Sequence, residues 1–277
     1  MRTTLIVLLI VAMLAGLAHL WSKSLFEKHV ESLFASILSQ SAMPKRSSVD
    51  IEALPDLIRN FARRSGADPD QLVHGAGFQQ SAELRMAPDK AWQSLKTEQI
   101  TRATGPGFVW FAEQKSGPIT ILQVVDAYMA HEGFLIARLF GSVPVANVRG
   151  QGVSHSELQR YLAELAWVPD AIYHNPHLRW TDLGNNTVQV EIDSVRGPAT
   201  VRYYFDRYGD LVEIQADERE AIEGGTVVNR PWRGMFSDYR EIGGRRIPFK
   251  CEVGYIYEEG YAAYFRGEII EYKVISP

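Results

Sequence analysis

From residue 77 onward the chain is written as short runs of alternating apolar and polar residues, and the turns between them are brief. Thr104-Gly105-Pro106-Gly107, His131-Glu132-Gly133, Gly184-Asn185-Asn186, Arg207-Tyr208-Gly209-Asp210 and Gly243-Gly244 punctuate the pattern. Parallel strands need crossover connections of about a dozen residues or more, so turns this short restrict the chain to antiparallel neighbours. The runs at 78–88, 95–103, 107–114, 119–130, 134–140 and 144–149 form one block. Those at 179–183, 187–193, 200–206, 211–216, 235–242, 245–257 and 261–274 form a second. We read these runs as the strands of a mainly β, α+β chain: a curved antiparallel sheet or half-barrel. No parallel βαβ rhythm and no repeat of fixed period is present.

One long interruption separates the blocks, at 154–180. Leu158, Tyr161, Leu162, Leu165 and Ala166 recur at helical spacing, which predicts a helix with one apolar stripe. Ser154 and Glu157 have capping-box spacing, and Pro169 pushes Val168 out of helical geometry. A single amphipathic helix between two strand blocks is expected to lie across the concave face of their sheet.

The N-terminus bears on location. Residues 3–21 are almost unbrokenly apolar, after the single charge of Arg2. A helix needs about 20 such residues to cross a bilayer core, so the run just spans. A cleaved signal peptide is the alternative, with Gly16-Leu17-Ala18 as a small-x-small cleavage site. Against cleavage, the apolar run continues to Leu20 and Trp21, and Trp suits a membrane interface. We expect an anchor or uncleaved signal at 1–22, a juxtamembrane helix and linker at 23–48, and a β-rich half-barrel with helical lid at 49–277. The body is expected on the extracytoplasmic side of the cell membrane. The stretch 22–40 carries Leu25, Val30, Leu33, Phe34, Ile37 and Leu38, and continues the membrane helix, lies on the bilayer, or packs on the body or a partner. Residues 41–48 read as linker. Residues 51–64 read as a helix with Pro55 in its first turn and Gly66 closing it.

Chemistry is sparse. A net charge of −4 leaves no basic surplus to recruit nucleic acid. The single cysteine, Cys251, has no intramolecular disulfide partner and sits in a strand-like run as an inert thiol. His174 and His177 share a turn without a carboxylate or thiol at ligand spacing, so they read as solvated imidazoles and no metal or cofactor is expected. Asn185-Asn186-Thr187 has the glycosylation pattern but is first a hairpin turn. No G-x-S-x-G, H-E-x-x-H or C-x-x-C occurs, so no catalytic residue is assigned.

Two groups remain as candidates. Ionisable residues set in apolar stretches, Arg160, Glu164, Glu252 and Arg266, with Asp126 beside them in kind, must pair if buried. They form a salt bridge fixing helix to sheet, a polar floor in a cavity or, as the remaining alternative, paired carboxylates for acid–base chemistry. The aromatic and aliphatic residues Leu158, Tyr161, Leu162, Leu165, Trp167, Trp110, Trp180, Tyr203, Phe205, Trp232 and Tyr264 either fill a core or line a cavity for an acyl chain.

Several motifs stand in fixed order between residues 54 and 274. These are Gly107-Phe108-Val109-Trp110, Arg160-Tyr161-Leu162-Ala163-Glu164 with Trp167-Val168-Pro169 and Trp180, Pro231-Trp232-Arg233-Gly234 with Tyr239, Arg245-Arg246-Ile247-Pro248, and Tyr264-Phe265-Arg266-Gly267. On them the chain resembles an uncharacterised bacterial family of membrane-tethered proteins. The resemblance implies a fold similar to the periplasmic lipoprotein carriers and their outer-membrane receptors (LolA/LolB-like): curved antiparallel sheets closed by helices over a hydrophobic cavity. It carries over no catalytic or binding residues, and this chain lacks the lipidated cysteine of the receptor type. The expectation is a non-catalytic envelope protein binding a lipid, acyl chain or other apolar ligand. Alternatives are a scaffold or assembly factor binding another envelope protein, or an enzyme on a lipid or cell-wall substrate.

Overall fold

In the computed structural model, residues 2–39, 49–223 and 226–276 are described; the linker expected at 41–48 lies outside them. The first helix, α1 (Arg2–Ser39), is continuous through the apolar run and the stretch that follows it. After α2 (Asp56–Arg64), six strands follow: β1 (Gly75–Leu84), β2 (Gln93–Arg102), β3 (Phe108–Ser116), β4 (Ile119–Met129), β5 (Glu132–Leu139) and β6 (Val143–Arg149). Then come α3 (Gln151–Ala163), a 3-10 turn (Glu164–Trp167) and α4 (Ala171–His174). Seven more strands close the chain: β7 (Arg179–Gly184), β8 (Thr187–Ile192), β9 (Ala199–Phe205), β10 (Leu211–Glu223), β11 (Thr226–Ile242), β12 (Arg245–Tyr257) and β13 (Gly260–Ile275).

All thirteen strands belong to one antiparallel sheet, in the order β6-β5-β4-β3-β2-β1-β13-β12-β11-β10-β9-β8-β7. Two meanders are therefore joined where β1 pairs with β13, Gly75 opposite Ile275 and Leu84 opposite Phe265. The curl follows from contacts. Helix α3 touches both β5 and β9, which stand nine strand intervals apart in the sheet. Flat, that distance would be about 43 Å at ~4.8 Å per strand, against a helix diameter of about 10–12 Å. The sheet must wrap around the helix, and the expected half-barrel with a helix across its concave face is what forms.

The strands differ in how many faces they bury. Along β9, Ala199, Val201, Tyr203 and Phe205 point inward and alternate with half-exposed neighbours. In β3 both sets are apolar. Phe108, Trp110 and Ala112 join the main core, while Val109 and Phe111 join a second cluster on the convex face. Helix α1 supplies the other half of that cluster. Phe26, Val30 and Ile37 are buried against Val109, Val125, Ala127, Met129 and Phe134. The helical stretch after the apolar run is thus packed on the body. Residues 5–21, by contrast, present exposed Leu, Ile and Val side chains. Among the described residues this is the one helix long and apolar enough to cross a membrane.

Some local expectations change. The central helix starts at Gln151, three residues before Ser154, and Ser154 does not cap it. Its Oγ donates back to the Gly150 carbonyl and accepts the Gly133 N–H, both at 2.9 Å. Glu157 reaches no backbone N–H of the first turn and turns toward Arg219 instead. Each run read in the sequence forms one strand, thirteen among the described residues. Those read at 211–216 and 235–242 extend into one long hairpin, since β10 and β11 stay paired from Glu213–Met235 to Glu223–Thr226. The Gly184-Asn185-Asn186 turn forms as expected, with all three residues at positive φ. Asn tolerates that region because its short amide hydrogen-bonds locally.

Candidate functional site

The candidate site is the concave face where α3 meets the sheet. Leu158, Tyr161, Leu162 and Leu165 are at most 1% exposed, and Trp167 and Trp110 are buried beside them. Tyr203, Phe205 and Trp232 are buried from the strand side, while Trp180 and Tyr264 are partly buried against the same cluster. All eleven apolar candidates are therefore brought together in one cluster around α3. Trp110 meets Phe265 edge-on at 6.2 Å, Trp180 meets Tyr203 at 5.7 Å, and Trp167 lies between Phe78 and Phe236.

Polar groups tie this segment to the second meander. The Tyr203 hydroxyl donates to the Leu162 carbonyl, at the turn from α-helix to 3-10 geometry. Trp167 Nε1 donates to the Pro248 carbonyl at 2.8 Å, and the Tyr272 hydroxyl to the Trp167 carbonyl at 2.9 Å. Asp170 accepts two bonds from Arg245, at 2.9 and 2.7 Å, and both side chains are at most 5% exposed. Gln71 takes a further Arg245 N–H at 2.9 Å.

A second, ionic row runs along the buried side of α3 at Glu157, Arg160 and Glu164. Arg160 lies between the rings of Phe108 and Trp110, 4.8 and 4.9 Å from their centroids. Its guanidinium donates to Asp126 at 2.5 Å, to Glu164 at 2.8 Å and to Gln99 at 3.3 Å. Gln99 in turn donates to Glu164 at 2.5 Å. One turn back, Arg219 lies over Trp232 at 4.7 Å, reaches Glu157 at 3.4 Å, and donates to the Tyr264 hydroxyl at 3.4 Å. Three carboxylates thus share two guanidiniums. Burial, then the neighbouring Asp126 charge, pushes Glu157 up to about 8. Burial pulls Arg160 and Arg219 down, yet both are held above their ordinary values, Arg160 by Glu164, Asp126 and Glu157, and Arg219 by Tyr264 and Tyr255 and then by Glu157 and Asp126. With Glu157 protonated near neutral pH, two anions face two cations and the cluster is balanced. One Glu157 oxygen and one Asp126 oxygen have no hydrogen-bond partner among the described residues.

The four ionic candidates separate into two pairs. Arg160–Glu164 is inside, as just described. Arg266–Glu252 closes at 2.6 Å on the exposed side, where Arg266 also lies over the Trp92 ring at 4.4 Å. Glu157, Arg219, Gln99, Asp170 and Arg245 were missed. The spacing of Glu157 from Arg160 was visible, since both fall on the buried side of one helix. Nothing marks Arg219 within Asp217-Glu218-Arg219-Glu220, and Asp170 and Arg245 lie far apart in the chain.

Little here suits covalent chemistry. Burial, with Glu164 nearby, raises the Cys251 thiol to about 12, so it stays protonated. No group of His, Cys, Asp and Glu suited to a metal ion occurs among the described residues. His174 is not a solvated loop residue: it ends α4, buried, with neither ring nitrogen bonded among the described residues. Two open depressions lie away from α3. One, of about 300 Å³, is lined by His19, Lys23, Pro118, Ile119, Thr120 and Phe140. The other, of about 100 Å³, lies over β13, β1 and β2 near Gly77, Glu98 and Lys273.

Residues 44–267 match the model of DUF6544, described as a family of unknown function. No curated protein matches the sequence. Among solved structures the chain is similar to a LolA superfamily protein from Nitrosomonas europaea, at 9% identity over 79% of this chain and 94% of that chain, with TM-score 0.44. It is also similar to a domain described as an outer membrane lipoprotein-sorting protein from Vibrio parahaemolyticus, at 8% identity over 81% and 93%, with TM-score 0.45. A DUF1329 family protein from Desulfovibrio piger aligns at 9% identity over 79% and 90%, with TM-score 0.41.

Proposed function

The chain belongs to the DUF6544 family, and we propose that it is a non-catalytic, membrane-anchored protein of the cell envelope that binds an acyl chain or similar apolar ligand between α3 and the sheet. The observation that carries this reading is the lining of the concave face. Aromatic and aliphatic side chains from both meanders converge on one short helix, and the surface that helix covers is apolar enough to receive an alkyl chain in its place. The ionic row from Glu157 to Glu164 supplies a polar floor for a headgroup. Residues 3–21 keep the body at the bilayer from which such a ligand comes.

The test uses a chain beginning at Ser22, which keeps the packed half of α1 and removes the apolar run. Such a chain should take up a fluorescent fatty acid, and Leu162→Trp should lower that uptake while largely preserving the unfolding midpoint. A wild-type chain that takes up no probe, together with a Leu162→Trp chain that simply unfolds, would sink the reading. A second reading, a scaffold that binds another envelope protein, draws support from the same residues. Tyr161, Leu162, Leu165 and Tyr203 are fully buried, as in a filled core.

A further inference from the structure

Helix α1 runs down the convex face from one end of the strands to the other. Ile37 lies beside Gly107, at the turn between β2 and β3. At the opposite end, His19 Nδ1 is 2.6 Å from Ser142 Oγ, Ser22 Oγ donates to the Ser142 carbonyl at 3.1 Å, and Arg138 donates to Ser22 Oγ at 3.2 Å. Ser142 lies in the turn between β5 and β6, and Pro118 in the turn between β3 and β4; both turns border the same notch with His19 and Lys23.

These contacts fix a depth. Residues 3–21 make a helical run of about 28 Å at 1.5 Å per residue, close to the ~30 Å hydrocarbon core. His19 and Trp21 are at the end of that run, so the two turns touching this part of α1 are held at the bilayer boundary. Their side chains match that position. Ile119 at the start of β4 is 57% exposed, Phe140 in the β5–β6 turn 47% and Val143 at the start of β6 50%, a concentration of large apolar groups at and beside the two turns. Between them and the helix, the notch of about 300 Å³ is lined by Lys23 and Thr120, and the Lys23 ammonium is 3.8 Å from the Glu27 carboxylate one turn along α1. A cation beside exposed apolar side chains suits the phosphate and upper acyl region of a phospholipid.

We propose that the β3–β4 and β5–β6 turns form a second membrane contact, inserting Ile119, Phe140 and Val143 into the interface of the leaflet from which α1 emerges, with a phospholipid headgroup in the notch at Lys23. This rests on residues 3–21 being a retained span. The sheet then stands with one end of its β3–β6 strands on the bilayer rather than swinging on a flexible tether.

The test places a fluorescent nitrobenzoxadiazole label on single introduced cysteines in the full chain, reconstituted in phosphatidylethanolamine–phosphatidylglycerol vesicles carrying a quencher high on the acyl chain. Phe140→Cys and Ile119→Cys are the test positions. Leu17→Cys reports the span, and Leu183→Cys, exposed in β7, reports solvent. The unsubstituted chain controls for labelling at Cys251. Labels at 140 and 119 should lose most of their emission, as at 17, while the label at 183 keeps it. Quenching at 17 with none at 119 and 140 overturns the second contact and leaves the span intact. No quenching at 17 overturns both, and identifies the span as the part that failed.

Discussion

Glu157 shows how one buried carboxyl couples the central helix to pH. Its folded-state value, about 8, lies above the ordinary 4.5, so the folded chain holds this proton more tightly than the unfolded one. The resulting stability is fully present below about pH 4.5 and is lost as pH rises through about 8. Glu157→Gln mimics the protonated form and should flatten this part of the profile. Thermal midpoints taken at intervals from about pH 5 to 8.5 should fall more steeply for wild type than for the variant; parallel curves would assign the decline elsewhere. Asp170 is the opposite case, an anion fully matched by Arg245. Asp170→Ala leaves a buried guanidinium with only Gln71 and the Gly244 carbonyl, and should cost about 3–5 kcal/mol in denaturant unfolding. A loss below ~0.5 kcal/mol would mean that water reaches Arg245 freely.

Among the elements, legibility in sequence followed how each one buries itself. The stripe at Leu158, Tyr161, Leu162 and Leu165 was readable because a helix with one buried side keeps its apolar spacing. The start of α3 was not. Gly152 dilutes the pattern, and Ser154, which has capping chemistry, is used to hold β5 through the Gly133 N–H. The far half of the β10–β11 hairpin was also hidden, because charges take the place of apolar alternation there. Arg230 pairs across the hairpin with Glu223. The second face of β3 and β4 was legible only as continuous apolar character, with no sign of what covers it. Helix α1 covers it, and this supplies a prediction. A chain beginning at Val49 uncovers Val109, Val125, Ala127, Met129 and Phe134. It should melt lower and self-associate more than one beginning at Ser22, as light scattering and thermal unfolding would record. Equal behaviour of the two would show that α1 adds nothing to the body.

The whole molecule depends on a seam between sequence-distant strands. Thirteen strands make one sheet, yet every pairing except β1 with β13 joins neighbours in sequence. A chain emerging from the N-terminus therefore completes its first meander early and then carries β1 as an open edge until β13 follows the other strands. Loop closure over that separation is slow, and an open edge strand is a template for wrong partners. A chain ending at Glu259 should accordingly lack a cooperative unfolding transition and associate through β1, rather than lose one strand's worth of stability. The final sixteen-residue strand, Gly260–Ile275, thus decides when the rest becomes a folded protein. Whatever attends this chain during synthesis must shield the edge of β1 until that strand arrives.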